Sequence, residues 1–421
     1  MSQLKIPADT VVIRALLGAS VLLIIALAFI AAKWAIGNAL ATRSPEKEVS
    51  DLGASLAASD PLARFAHAAI VERTFDMTSI AASLNEYEAA VALSPNDYRL
   101  WLGLGRARER DGDRVGAEQA YRRAAELAPH YSRVHWALGN LLVRDGRGDE
   151  GFGHIRMAAE TDTAFAAPAV RTAWQAFEGD VARVTAALGD GENTKVELAK
   201  SLAAQKRLDE AVAVWDSIPA ERRRAAFVEQ GKFLEQKAME NGRFRPALAI
   251  SNEFAESPAR IATVTNGGFE EPIKPKSSGP FDWRNIDGAY PQMGPTNGQK
   301  AAGEVSLLVR FGDPTNLEFR PLSQTIAVEP GRKYSLSLSH RSEIKSQAVF
   351  KWEAIAGANG ERLAETESLA VTKDWTVSTI EFRVPDGIDA ITIRLIRENC
   401  AAPICTISGA LWFDEFVLRP L

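Results

Sequence analysis

The chain has 421 residues, 46% of them apolar and 24% charged, with a formal net charge of -5. That length exceeds what one hydrophobic core usually fills, so two or three domains are expected. A mildly acidic balance without a concentrated basic face argues against a nucleic-acid partner, and two cysteines are too few for a thiolate zinc cluster.

The first element is apolar. Residues Ala15 to Ala32 are eighteen consecutive uncharged positions, closed by Arg14 and Lys33. At 1.5 Å per residue they extend about 27 Å, close to the hydrocarbon thickness of a bilayer. Arg14 and Lys33 are placed to snorkel into the interfaces, and Trp34 suits an interfacial belt. A cleaved signal peptide competes with this reading, because Ala39-Leu40-Ala41 fits a small-residue cleavage pattern. The apolar run is longer than a signal core, however, so residues 1–43 are expected to form a short cytoplasmic tail and a retained anchor. Basic residues flank both ends and do not fix the orientation. A short tail inside and the bulk outside, as in a single-pass protein of a bacterial inner membrane with a periplasmic body, is the expected arrangement. Residues 44–60, with Pro45 and mixed charges, read as a linker.

Repetition dominates residues 61–257. Trp101, Leu104, Gly105, Gly112, Ala117, Tyr121, Ala124, Leu127 and Pro129 have the mutual spacing of a helix–turn–helix unit. Thirty-four residues on, Leu138, Gly139, Gly146 and Ala158 match Leu104, Gly105, Gly112 and Ala124; one period earlier, Tyr87, Ala90, Leu93 and Pro95 form the second half of another unit. Small residues allow close helix approach, glycine ends the first helix and proline stops the second. The pattern resembles the tetratricopeptide repeat and implies stacked helix pairs, about five of them, with a concave face for a protein partner. On that face the resemblance places Arg99, Arg106, Arg110, Arg133, Trp136, Asn140 and Arg144, either a basic ladder for an acidic peptide or glycan or simply a solvated surface.

After Pro258 the periodicity changes to two. Tyr334-Ser335-Leu336-Ser337-Leu338-Ser339 alternates cleanly, as do Phe350 and Trp352 with Lys351 and Glu353, with turn signals such as Glu329-Pro330-Gly331 between the runs. Residues 261–421 are therefore expected to form an antiparallel β-sandwich. Asn266-Gly267-Gly268-Phe269-Glu270, Phe281-Asp282-Trp283 and the closing Leu411-Trp412-Phe413-Asp414-Glu415-Phe416-Val417-Leu418 resemble jelly-roll modules of the carbohydrate-binding type. The resemblance implies glycan binding and a structural calcium at Glu270 and Asp414. Hydrogen bonding of both acids to neighbouring strands is the alternative. Trp283, Arg284 and Tyr290, in a Gly/Pro/Asn-rich stretch, are the glycan-site candidates, with Trp283 either a platform or core; Trp352, Trp375 and Trp412 are expected in the core. Cys400 and Cys405 are either reduced thiols or, in an oxidising compartment, a local disulfide.

No nucleophile elbow, phosphate loop or paired-histidine metal motif occurs, and no cofactor is implied. The whole reads as a multidomain α + β protein: transmembrane helix, α-solenoid, C-terminal sandwich. The expected function is a non-enzymatic scaffold or adaptor in cell-envelope or exopolysaccharide assembly. A purely protein-binding assembly factor with a structural sandwich, and a glycan-hydrolysing enzyme, are the alternatives.

Overall fold

The computed structural model describes residues 11–74, 77–273, 279–285, 291–312, 319–346, 348–398 and 406–421. Its chain contacts divide it into two compact units, Met1–Thr194 and Lys195–Leu421.

The first unit begins with helix α1 (Val11–Arg43). It is long and apolar enough to cross a membrane by length and composition, and Leu22, Leu23, Ile24 and Phe29 along it are exposed. Beyond Lys33 the helix continues without a break and packs against α2 (Lys47–Leu56) and α3 (Pro61–Val71). Glycine makes that contact possible. A Cβ on Gly37 would lie 2.8 Å from the Ala57 backbone nitrogen, and one on Gly53 would lie 2.8 Å from the Gly37 carbonyl. Asn38 donates to the Asp60 carboxylate, whose other oxygen accepts from the Leu62 amide at 2.9 Å and so caps α3. Residues 44–60 are therefore not the open linker expected from their composition. Their small residues, which read as flexible, are the inner face of a packed helix, with Ser50 and Gly53 buried.

Helix pairs follow: α3 with α4 (Met77–Leu93), α5 (Tyr98–Asp111) with α6 (Arg114–Leu127), α7 (Ser132–Arg144) with α8 (Gly148–Thr161), and α9 (Ala166–Ala176) with α10 (Val181–Leu188). Aspartates start the α5/α6 pair: Asp97 accepts from the Arg99 amide and Asp113 from the Gly116 amide. Gly112, at φ +88°, supplies the left-handed residue that closes α5. The repeat glycines sit where the helices cross. Gly105 lies under the Tyr121 ring, and a Cβ on Gly139 would meet the Gly151 carbonyl at 2.8 Å. These are tetratricopeptide-type pairs.

The division between units falls within α11 (Glu192–Ala204). The second unit continues with α12 (Leu208–Asp216), α13 (Ala220–Ala226), α14 (Val228–Glu240) and α15 (Phe244–Phe254), and then the strands. One antiparallel sheet has the order β1 (Gln292–Thr296), β2 (Ser306–Phe311), β10 (Ile407–Pro420), β4 (Lys333–Ser342), β8 (Thr372–Arg383), with the short β5 (Lys345–Ser346) on β10. The other has the order β3 (Ser323–Ala327), β9 (Ala390–Glu398), β6 (Val349–Ala356), β7 (Arg362–Glu365). Alternate residues fill the space between them, among them Leu336, Leu338, Trp352, Ile391, Ile393 and Phe413, all fully buried. Two amides at the start of α15, those of Phe244 and Arg245, donate to the Asp389 carboxylate beside β9, at 3.2 and 2.9 Å. The last helix pair thus shares a cluster with the sandwich through Phe244, Leu248, Phe281 and Ala390.

One substitution should act with opposite sign at two glycines of the α7/α8 pair. Gly153→Ala adds a methyl where nothing lies within 4 Å, and denaturant unfolding should show a gain of about 0.5–1 kcal/mol. Gly139→Ala drives a methyl into backbone, and a loss of about 1–3 kcal/mol is expected.

Candidate functional site

The α3, α4 and α5 helices enclose a cavity of ≈ 310 Å³ lined by Phe65, Ala69, Glu72, Arg73, Tyr87, Arg106 and Arg110. Phe65 and Tyr87 meet edge to face, with ring centroids 5.3 Å apart. Burial raises the Tyr87 hydroxyl above its ordinary pKa, with Arg106 opposing, and the hydroxyl donates to Glu72 at 2.9 Å. Glu72 in turn pairs with Arg110. One repeat later the same unit recurs: the Tyr121 hydroxyl donates to Glu109 at 2.9 Å, and Glu109 pairs with Arg144.

These units correct the expected basic ladder. Arg110 and Arg144 recur in register, but each faces a carboxylate, and Arg99 pairs with its own cap residue Asp97 at 2.5 Å. Among the described residues Arg106 and Arg133 are exposed and hold no ion pair. Arg106 lies near both buried tyrosines, which places it between the two units. Trp136 packs on Phe165 with centroids 5.2 Å apart, and the Asn140 amide is spent on the Trp136 carbonyl at 2.8 Å. The carboxylates were not found from sequence, because the partner of each arginine lies on another repeat or connecting turn.

A second cluster joins α7 to α8. His135 Nε2 lies 2.8 Å from the Pro129 carbonyl, and its Nδ1 lies 3.0 Å from His154 Nδ1. Since a carbonyl only accepts, His135 carries its proton on Nε2 and its Nδ1 accepts from His154. Burial first, then the neighbouring His135, holds His154 below the usual histidine pKa.

In the sandwich, Trp283 is 2% exposed. Its ring sits among Phe269, Trp352 and Phe416, and its Nε1 donates to the Asn266 carbonyl at 3.1 Å. It is a core residue, not a platform. Arg284 is exposed and its backbone bridges Ser323. Tyr290, Cys400 and Cys405 lie outside the described residues. Trp412, expected in the core, instead projects from the outer face of its sheet, half-buried, with the Arg341 guanidinium 5.5 Å from its ring centroid.

Glu270 and Asp414 converge on one loop. Asp414 Oδ2 accepts from the amides of Ala301 (2.9 Å) and Ala302 (3.1 Å), its Oδ1 from Glu415 (2.8 Å), and Glu270 Oε1 accepts from the Glu304 amide (3.0 Å). Calcium takes six to eight oxygen ligands, whereas this loop offers the two acids N–H donors. Among the described residues no group of three or more His, Cys, Asp or Glu gathers as a metal site. The pair fits a carboxylate–amide clasp and does not fit the expected calcium. The same clasp explains the Asn-Gly-Gly motif: Phe416 donates to the Gly267 carbonyl at 2.9 Å, and a Cβ on Gly267 would run into the Phe416 backbone.

No family model matches the chain, and no curated protein matches it. Among solved structures it is similar to a CBM4 structure at 18% identity and TM-score 0.28, over 38% of this chain and 99% of that one. It is similar also to YrrB, a TPR protein with an unusual peptide-binding site, at 12% identity and TM-score 0.27, over 49% and 91%. A third is PilF of Pseudomonas aeruginosa, at 14% identity and TM-score 0.28, over 49% and 79%. At these scores the likenesses add nothing to the fold that the helix and strand pairings already establish.

The histidines set a pH response. Burial lowers the pKa of His340 as well as His154, so below about 6.5, the ordinary histidine value, these two sites bind more protons in the unfolded chain than in the folded one. Their contribution to stability is fully present above that pH and declines as pH falls through it, whereas Glu235 and Glu253, raised by burial, contribute with the opposite sign. In thermal melts between pH 7.5 and 5 the wild type should lose more stability on acidification than His154→Gln; an identical pH dependence of the two would refute the assignment.

Proposed function

We propose that this protein is a membrane-anchored, non-enzymatic scaffold of the bacterial cell envelope, whose repeats hold a protein partner while the sandwich carries a glycan-binding surface. The observation that carries this reading is the continuity of α1. The same helix supplies the apolar span and, through Gly37, Asn38 and Ala41, part of the packed start of the repeats. Ala41 is fully buried there, so cleavage after it would strip Gly37 and Asn38 from α2 and α3, which supports a retained anchor over a removed signal. A rigidly docked anchor holds the repeats beside the membrane, as a scaffold requires.

The cavity beside Arg106 supports a partner segment of acidic character. Its charged lining is Arg73, Arg106 and Arg110 against Glu72 alone, over an aromatic floor of Phe65 and Tyr87. The acids on the outer face of the four-stranded sheet support a role without chemistry. Glu353 is fully buried between Arg362 and Arg394, and Glu365 and Glu398 are also ion-paired. The burial of Trp283 favours a second reading, an assembly factor that binds only protein and whose sandwich is structural.

Intact mass and topology test the proposal. Chain extracted from bacterial membranes should retain residues 1–43, and a C-terminal alkaline phosphatase fusion should be active outside the inner membrane. A mature chain starting at Thr42, or an inactive fusion, would remove the anchored periplasmic scaffold. In the same extracts Arg106→Ala should weaken binding of a Glu-rich peptide by roughly tenfold, the scale of a lost charge-assisted contact.

A further inference from the structure

The two sheets of the sandwich treat charge on their outer faces differently. On the four-stranded sheet, Lys351, Arg362 and Arg394 are locked to Glu353, Glu365 and Glu398. That face is a closed ion-pair lattice. On the five-strand face, Arg310, Lys333, Arg383 and Arg419 are exposed, and among the described residues none of them holds an ion pair. Four uncompensated cations on one face are notable in a chain whose net charge is -5.

Strand register shows how they are arranged. Period-two alternation sends Leu336, Leu338 and Phe413 inward, and sends Arg341, Ser337, Ser335 and Lys333 of β4 outward. Trp412 stands between Leu308 and Arg341 in one row across the strands. Further along, Ser337 is flanked by Val417 and Thr379, Ser335 by Arg419 and Glu381, and Lys333 stands opposite Arg383. Arg310 lies one outward position beyond Leu308 on β2, at the Trp412 end. From Arg341 to Lys333 the strip runs about 27 Å at the rise of an antiparallel strand. It has cations at both ends, a hydroxyl row between them with the exposed Glu381 and Glu415 beside it, and one half-buried indole.

We infer that the outer face of the β1–β2–β10–β4–β8 sheet is a binding surface for an anionic polysaccharide. This rests on the reading of the sandwich as a glycan-binding domain and assigns that role a place and a charge class. The length of the strip suits an extended polymer better than a single small molecule. Separated cations match a ligand that carries a carboxylate at intervals, and Ser335, Ser337 and Thr379 offer donors and acceptors to sugar hydroxyls. Trp412, steadied by Arg341, presents the aromatic surface on which a pyranose ring stacks. A single-stranded nucleic acid is the less fitting polyanion, because such surfaces bring several aromatics to successive bases, and the regular register of the strip carries one tryptophan, Trp412, with the partly exposed Trp375 of β8 in the irregular stretch between Thr372 and Thr376.

Full-length protein in detergent micelles, run by affinity electrophoresis through gels containing polygalacturonate, dextran or oligo-dT, tests the assignment. Retardation by polygalacturonate, relieved by salt and absent with dextran and oligo-dT, is the expected result. The Arg383→Gln/Arg419→Gln pair, both exposed, should raise the dissociation constant about tenfold without changing the melting temperature; Trp412→Phe should retain binding and Trp412→Ala should lose it. Wild-type retardation by polygalacturonate that the arginine variants leave unchanged overturns the assignment, as does equal retardation by oligo-dT. Binding to dextran alone, indifferent to these variants, would keep a glycan-binding sandwich but remove this face. Binding to neither polysaccharide would remove both.

Discussion

Close approach at glycine, to a neighbouring backbone or to an aromatic ring, is the constraint on which the helical part depends. Gly37 against Gly53, Gly105 under Tyr121 and Gly139 against Gly151 each occupy a crossing where a methyl group would have no room. Helices that meet this closely exclude water along their whole contact and bring many small residues into dispersion contact. Ala117, Ala120, Ala124, Ala158 and Ala169 are accordingly at or near zero exposure. The same device joins the apolar N-terminal helix to the repeats, so the first repeat helices are packed by the rule that packs the later ones. A helix packed in this way holds a fixed orientation to the repeats, which a flexible linker would not.

Charge is organised on top of that frame, not as its cause. The tyrosine–glutamate–arginine units at Tyr87 and Tyr121 join one buried hydroxyl to a half-buried carboxylate and an exposed guanidinium. Exposed ion pairs contribute little by themselves, typically below about 1 kcal/mol. Here each carboxylate also accepts from a buried phenol, which would otherwise be left without a partner at greater cost. Recurrence of the unit at the repeat spacing fixes which arginines are committed to the fold. It leaves Arg106, between the units, exposed and without an ion pair among the described residues.

How far the sequence could be read follows from the range of the forces involved. The repeats were legible because glycine, alanine and proline mark steric events at fixed spacing, and the strands because serine and leucine alternate across Tyr334–Ser339. Helix α2 was not, because the residues that let it pack, Gly53, Ala54 and Ala57, are the residues that make a segment look like a linker. The two tryptophans were not decided by sequence for a related reason. Trp283 lies among glycine, proline and asparagine, where platform and core are both open, and its ring fills the space between Phe269, Trp352 and Phe416. Trp412 lies between Leu411 and Phe413, where every residue is large and apolar. Alternation there shows that two faces exist but not which is inner. Pairing with β4, a long-range fact, decides it.

The boundary between the units has a physical origin of the same kind. Composition changes at Pro258, and a cut there looks natural from sequence. Yet α15 begins at Phe244 with two amides that have no helical acceptor, and the acceptor provided is Asp389, which lies beside β9 of the sandwich. Phe244 and Leu248 then bury themselves with Phe281, Ala327 and Ala390. Removing the helices would expose that apolar patch and leave the Asp389 carboxylate without its donors, while removing the sandwich would uncap α15. The last helix pair therefore belongs energetically to the β-structure, which is why the compact unit begins at Lys195 and not after the final helix. The helical repeat has been used twice in one chain, once as a stack and once as the support of a sandwich.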